Sequence, residues 1–83
     1  MGYHLKEITK GKIGESSKIR EELEELEDAE AQDNKVLAIC ELSDLYGAIE
    51  QYILAKFGGE LTMKDLKKMA RATAKAFQDG SRK

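Results

Sequence analysis

An all-α fold, an antiparallel helical hairpin followed by a third helix, is predicted by three observations. The chain of 83 residues holds no proline and is 36% charged, a composition suited to helices with one face in water. Apolar residues recur at helical spacing in three segments. Each segment is bounded by residues that start or stop helices. The length allows a single domain, residues 1–83, with a modest core.

Gly11 and Gly14 break the start, so residues 1–14 read as an N-terminal loop with at most one helical turn near Tyr3–Thr9. Ser16 or Ser17 is placed to cap a first helix over about 16–31. Ile19, Leu23 and Leu26 form its apolar stripe, with Glu22 and then Glu25 beside it. Glu21, Glu24, Glu27, Asp28 and Glu30 are expected on the solvated face. Asp33 and Asn34 are good turn and cap residues.

The second helix is expected over about 35–57, ending before Gly58-Gly59. Leu37, Ile39, Leu42, Leu45, Tyr46, Ala48, Ile49, Tyr52 and Ile53 spread over about 200° of its circumference, and a face that wide needs cover on more than one side. A second chain is the expected cover. The hairpin and third helix would then be completed into a four-helix-bundle-like core by oligomerisation, as a dimer or tetramer. Tyr46, Tyr52 and Phe57 are expected in the core, with stacking on a base as the alternative.

Thr62-Met-Lys-Asp65 resembles a capping box and opens a third helix over about 63–78. Leu66, Ala70, Thr73 and Phe77 are its expected buried stripe. Lys64, Lys67, Lys68, Arg71 and Lys75 lie on the other face. Gly80 stops the helix and leaves 79–83 as a basic tail.

Composition excludes several classes. One cysteine permits no internal disulfide, and Cys40 reads as a small buried apolar group. No Cys/His cluster suggests a zinc staple. No apolar run approaches the roughly 18–20 residues of a membrane span. The N-terminus lacks the apolar stretch of a signal peptide, so a cytoplasmic location is expected. Residues 21–33 hold eight acidic residues and no basic one, while 62–83 hold seven Lys/Arg. Nucleic-acid binding through Lys64, Lys67, Lys68 and Arg71 is disfavoured by that acidic half and by the lack of an aromatic platform.

Two acidic pairs carry the chemistry. Glu22–Glu25 and Glu41–Asp44 are each spaced to share a helix face. Glu25–Glu41 and Glu22–Asp44 have the same midpoint, residue 33. A chain folded back at Asp33 sets Glu25 opposite Glu41 and Glu22 opposite Asp44. Four carboxylates in one volume call for a cation. Glu41 is the most telling, because it falls inside an apolar face, where a carboxylate must be paired or metal-bound. An ion pair with Lys18 or Lys75 is the competing explanation for Glu41. No histidine accompanies the pairs, and the lone His4 is far away in sequence. Oxygen-only ligation favours Mg²⁺, with Mn²⁺ possible, over iron or zinc.

Lys18-Ile-Arg-Glu21-Glu22-Leu-Glu-Glu25-Leu26, followed by Glu41-Leu-Ser-Asp44-Leu45, resembles the MazG family of all-α nucleoside triphosphate pyrophosphohydrolases, marked by EExxE and then ExxD. Leu-Tyr-Gly-Ala-Ile after the second motif is similar to the family as well. The stretch from Leu66-Lys-Lys-Met69 to Gly80-Ser-Arg82 resembles the short MazG-like proteins of bacteriophages, which would place the chain in a host cytoplasm. The resemblance implies Mg²⁺-dependent cleavage of a nucleoside triphosphate between its α and β phosphates, giving a monophosphate and pyrophosphate. It implies Glu22, Glu25, Glu41 and Asp44 as the metal-binding and catalytic set. Glu21 matches the motif's first Glu, but the helical wheel turns it away. Lys75 and Arg82 are the implied phosphate contacts, although Thr73 stands where the family often has Asn. A non-catalytic helical interaction module with the same fold is the alternative.

Overall fold

Three helices and no strand are found among residues 4–80, which are described in the computed structural model. They are α1 (Ser16–Ala31), α2 (Lys35–Phe57) and α3 (Met63–Gln78). None is long and apolar enough to cross a membrane.

The reversal at residue 33 is built from two linked caps. Asp33 adopts the left-handed region at φ 53°. Its N–H donates to Glu30 O at 3.0 Å and the Asn34 N–H to Ala29 O at 3.1 Å, the paired closure that satisfies the last carbonyls of a helix. Asn34 then starts α2: its Oδ1 accepts from the Leu37 N–H at 3.0 Å. One helix ends and the next begins within three residues, so α1 and α2 pack side by side as an antiparallel pair.

The start of α1 differs from expectation. Glu15 is the N-cap residue, and its side chain makes no capping bond. The Ser17 hydroxyl instead accepts from the Lys12 N–H at 3.0 Å, tying the preceding loop to the first turn. Gly11 is needed for that docking, because a Cβ there would lie 2.2 Å from the Ser17 carbonyl oxygen. Gly14, at φ 90°, makes the turn into α1.

α3 begins with the expected capping box. The Thr62 N–H donates to Asp65 Oδ2 at 3.0 Å, and the Asp65 N–H to Thr62 Oγ1 at 3.2 Å. The helix adds little to the packing of the hairpin. Its expected buried stripe is not buried in the single chain: Leu66 and Thr73 are half-buried, and Ala70 and Phe77 are exposed.

The apolar core of one chain is small. Ala29, Ala48 and Ile53 are its buried apolar residues among those described. Ile39, Leu42, Tyr46, Leu54 and Phe57 stay exposed, because α1 covers only one side of the wide face of α2, and Leu23 of α1 is exposed as well. Cys40 on α2 is likewise exposed rather than buried. Tyr52 is half-buried and meets Phe57 edge to face, with ring centres 6.5 Å apart.

Candidate metal centre

The interior of the hairpin is acidic where it ought to be apolar. Glu21, Glu22, Asp28 and Glu41 are buried as deeply as the core residues. Glu21 and Asp28 were expected on the solvated face. They are covered by the N-terminal segment, which lies across α1 and supplies donors to both. The Gly11 N–H donates to Glu21 Oε1 at 2.8 Å. The Leu5 N–H and the Gln32 amide donate to Asp28 Oδ2 at 2.9 and 3.0 Å. Glu27 and Glu30 are exposed, as the wheel predicts.

The four residues of the two acidic pairs are brought together. Carboxylate oxygens of Glu22, Glu41 and Asp44 all lie within 4.8 Å of one another, as do those of Glu21, Glu22 and Glu25. Glu22 and Glu41 are buried, Glu25 is half-buried, and Asp44 faces the opening. They line an open cleft of about 670 Å³, together with Lys10, Lys18 and residues of the N-terminal segment. That volume is within the roughly 300–1,000 Å³ of small-molecule sites.

Lys18 pairs with the first helix rather than with Glu41. Its Nζ sits 3.0 Å from Glu22 Oε2 and 3.2 Å from Glu21 Oε1. Glu22 Oε1 is buried and receives no hydrogen bond. Such an oxygen costs the full desolvation of a charged acceptor unless something positive meets it.

His4 is the residue that sequence reasoning missed. Distant along the chain, its ring enters the cluster. Nδ1 lies 2.8 Å from Asp28 Oδ2, and Nε2 lies 2.8 Å from Glu41 Oε2 and 3.7 Å from Glu25 Oε1. Position 4 has no periodic relation to either acidic pair. Gly11, where the chain must approach α1 closely, is the sequence signal that the loop is docked.

The electrostatics separate the carboxylates into two groups. Burial pushes Glu21 up, but the Gly11 N–H and then Lys18 outweigh it and hold the group low. Asp28 is held low against burial by Leu5, His4 and Gln32. Glu25 moves the other way. Burial, the neighbouring Glu22 and the charges of Glu41 and Glu21 push it up to about 7. Glu41 is also raised, by burial and then by Asp44, with His4 pulling against them. Burial lowers His4, but Asp28, Glu41 and Glu25 together raise it above its ordinary value.

Lys75 is exposed on α3 and is not among the residues lining the cleft of this chain. Arg82 lies outside the described residues. Lys64, Lys67, Lys68 and Arg71 are all exposed along α3.

The fold and site thus define an all-helical hairpin protein whose clustered acidic residues could hold a metal ion. No protein-family model, curated protein or solved structure matches the chain.

Proposed function

We propose that the protein is a Mg²⁺-dependent nucleoside triphosphate pyrophosphohydrolase of the MazG-like type. The observation that carries this reading is Glu22, buried with its Oε1 unpartnered, whose carboxylate clusters with those of Glu41 and Asp44 from the facing helix. The carboxylates around it outnumber Lys18 and His4, and oxygen-only donors of this kind suit Mg²⁺ or Mn²⁺. Glu22, Glu41 and Asp44 would hold the ion, with Glu25 adjoining. When bound, Mg²⁺ supplies positive charge to the phosphates and to the leaving pyrophosphate.

The chain's own groups do the rest. Glu25 is partly exposed to the cleft and adjoins Glu22 at the edge of the ion's site. A carboxylate placed there is suited to position an attacking water and take its proton. The cleft is large enough for a nucleotide's phosphates, and Lys10 at its rim is exposed and able to reach them. Lys75 and Arg82 are further phosphate contacts in this reading.

The active form is a homo-oligomer, a dimer or larger. The exposed apolar side of α2 and the weakly packed α3 support this. Stacking two hairpins through that side would complete a four-helix core.

The test is a panel of nucleoside and deoxynucleoside triphosphates with Mg²⁺ and with Mn²⁺, read by pyrophosphate release. Pyrophosphate and monophosphate from at least one member are expected. No product across the panel from an intact oligomer would favour the helical interaction module instead.

A further inference from the structure

The cleft contains more than the oxygen-only site. We propose that His4, Glu25 and Glu41 form a second, mixed nitrogen–oxygen metal site, selective for a borderline divalent ion such as Zn²⁺, Co²⁺ or Mn²⁺, beside the Mg²⁺ site and sharing Glu41 with it. The inference rests on reading the cluster as a metal centre and does not depend on the reaction.

Three observations carry it. The first is the orientation of the ring. Nδ1 is engaged by Asp28 Oδ2 at 2.8 Å, and Asp28 is itself fixed by the Leu5 N–H and the Gln32 amide. A histidine that gives one ring N–H to a carboxylate presents the other nitrogen as a metal ligand, with tautomer and ring plane set. Nε2 accordingly faces Glu41 and Glu25.

The second is spacing. Zinc-like ions bind imidazole nitrogen and carboxylate oxygen at roughly 2.0–2.2 Å, which sets adjacent ligand atoms about 3 Å apart. Nε2 lies 2.8 Å from Glu41 Oε2 and 3.7 Å from Glu25 Oε1, on either side of that value. Small side-chain adjustments therefore admit an ion. Three protein ligands leave a position open to water or to a phosphate oxygen.

The third is the half-partnered buried carboxylate next door. Glu22 is 5% exposed, its Oε1 has no partner, and its oxygens neighbour those of Glu25 and of Glu41. Where no ion is bound, the Nε2 proton serves as a partial substitute for it at Glu41. On metal binding that proton passes to solvent, while the Nδ1 proton stays on the Asp28 side. The nitrogen ligand departs from the oxygen-only set expected of the acidic pairs, and it shifts preference away from Mg²⁺.

The experiment uses the whole chain. Its single histidine gives one imidazole in a ¹⁵N spectrum. Zn²⁺ is expected to move Nε2 to the resonance of a metal-bound nitrogen and leave Nδ1 protonated, whereas Mg²⁺, which shares only Glu41 with this site, leaves a proton on Nε2. His4→Gln should weaken Zn²⁺ binding at least tenfold and Mg²⁺ binding far less. Asp28→Asn, which leaves the ligands in place, should weaken Zn²⁺ by about 10–100-fold. An Nε2 resonance that ignores Zn²⁺ in the wild-type protein overturns the proposal, even if both variants misfold. That result together with intact Mg²⁺ binding and turnover would leave the hydrolase reading standing. Nε2 taking up Zn²⁺ in a protein that releases no pyrophosphate would support this site and sink the hydrolase.

Discussion

Lys18 Nζ meets Glu22 through Oε2 alone, at 3.0 Å, and leaves Oε1 of the same buried carboxylate without a donor. The nearest lysine thus compensates half of Glu22. Glu22 also belongs to both carboxylate groupings, with Glu21 and Glu25 and with Glu41 and Asp44, so a cation has a defined place to act.

Glu41→Gln is expected to abolish turnover without unfolding the chain. The amide keeps the shape and can still accept from His4, but it removes the charge shared by both carboxylate groupings that include residue 41. A loss on the order of 10²–10³ or more in kcat is expected for a group acting by electrostatic stabilisation. Pyrophosphate release measures it, and circular dichroism checks the helices. Full activity in Glu41→Gln would show that the site has been placed wrongly.

The pH dependence of the metal-free protein follows from the two kinds of carboxylate. Glu25 titrates at about 7 when folded against an ordinary 4.5, so the folded state holds a proton that the unfolded chain has released. Stability therefore falls as pH rises across that window. His4, raised above 6.5, adds stability in full below that value and loses it as pH rises through its folded pKa. Glu21 and Asp28 are lowered, so their contributions are complete above their ordinary values and fail only in stronger acid. In EDTA the urea midpoint should decline from pH 5 to pH 8, and Mg²⁺ should remove most of the decline. Glu25→Gln should flatten the slope, with a gain at pH 8 on the order of 1–2 kcal/mol after allowance for solvent screening. A metal-free protein most stable at pH 8 would contradict this assignment.

Gly11→Ala tests the docked N-terminal segment. The added Cβ meets the Ser17 carbonyl group at 2.2–2.3 Å, and backbone atoms have no rotamer with which to move aside. The segment must lift, losing the Gly11 N–H bond to Glu21 and the Lys12 N–H bond to Ser17. A destabilisation of about 1–3 kcal/mol is expected from a buried carboxylate deprived of its donor. Amide exchange at residues 5–12 should accelerate in step. An unchanged urea midpoint would mean that the segment is not docked in solution.

The hairpin was legible because its signals are local. Asp33 and Asn34 are residues that tolerate a left-handed turn and cap a helix, and the common midpoint of the acidic pairs is arithmetic on the same turn. The capping box at Thr62 is equally local. The covering of Glu21 and Asp28 was not legible, since it depends on where a loop without periodicity comes to rest. Helical wheels assign a side chain to a face but say nothing of a segment laid over that face from outside. His4 was missed for the same reason. Its partners are Asp28, Glu41 and Glu25, and nothing at position 4 points to them.

The width of the apolar face on α2 leads to the last prediction. Ile39, Leu42 and Tyr46 follow helical spacing along one side of α2 and are 66%, 51% and 57% exposed in the single chain. The hairpin's buried apolar residues are only Ala29, Ala48 and Ile53, too few to hold a domain of this size without further burial. A second copy seated on this side would bury both faces at once. In a two-fold dimer each substitution occurs twice. Leu42→Lys then loses about 1.5–3 kcal/mol of burial per chain, which raises the dimer dissociation constant on the order of 10²–10⁴-fold. Sedimentation of the wild type should give a dimer or larger species, and Leu42→Lys should move it to monomer at the same concentration. Because folding and association are linked, the wild-type melting temperature should rise with protein concentration. A wild-type chain that sediments as a monomer, with a melting temperature independent of concentration, would leave the exposed side of α2 without a second copy to cover it.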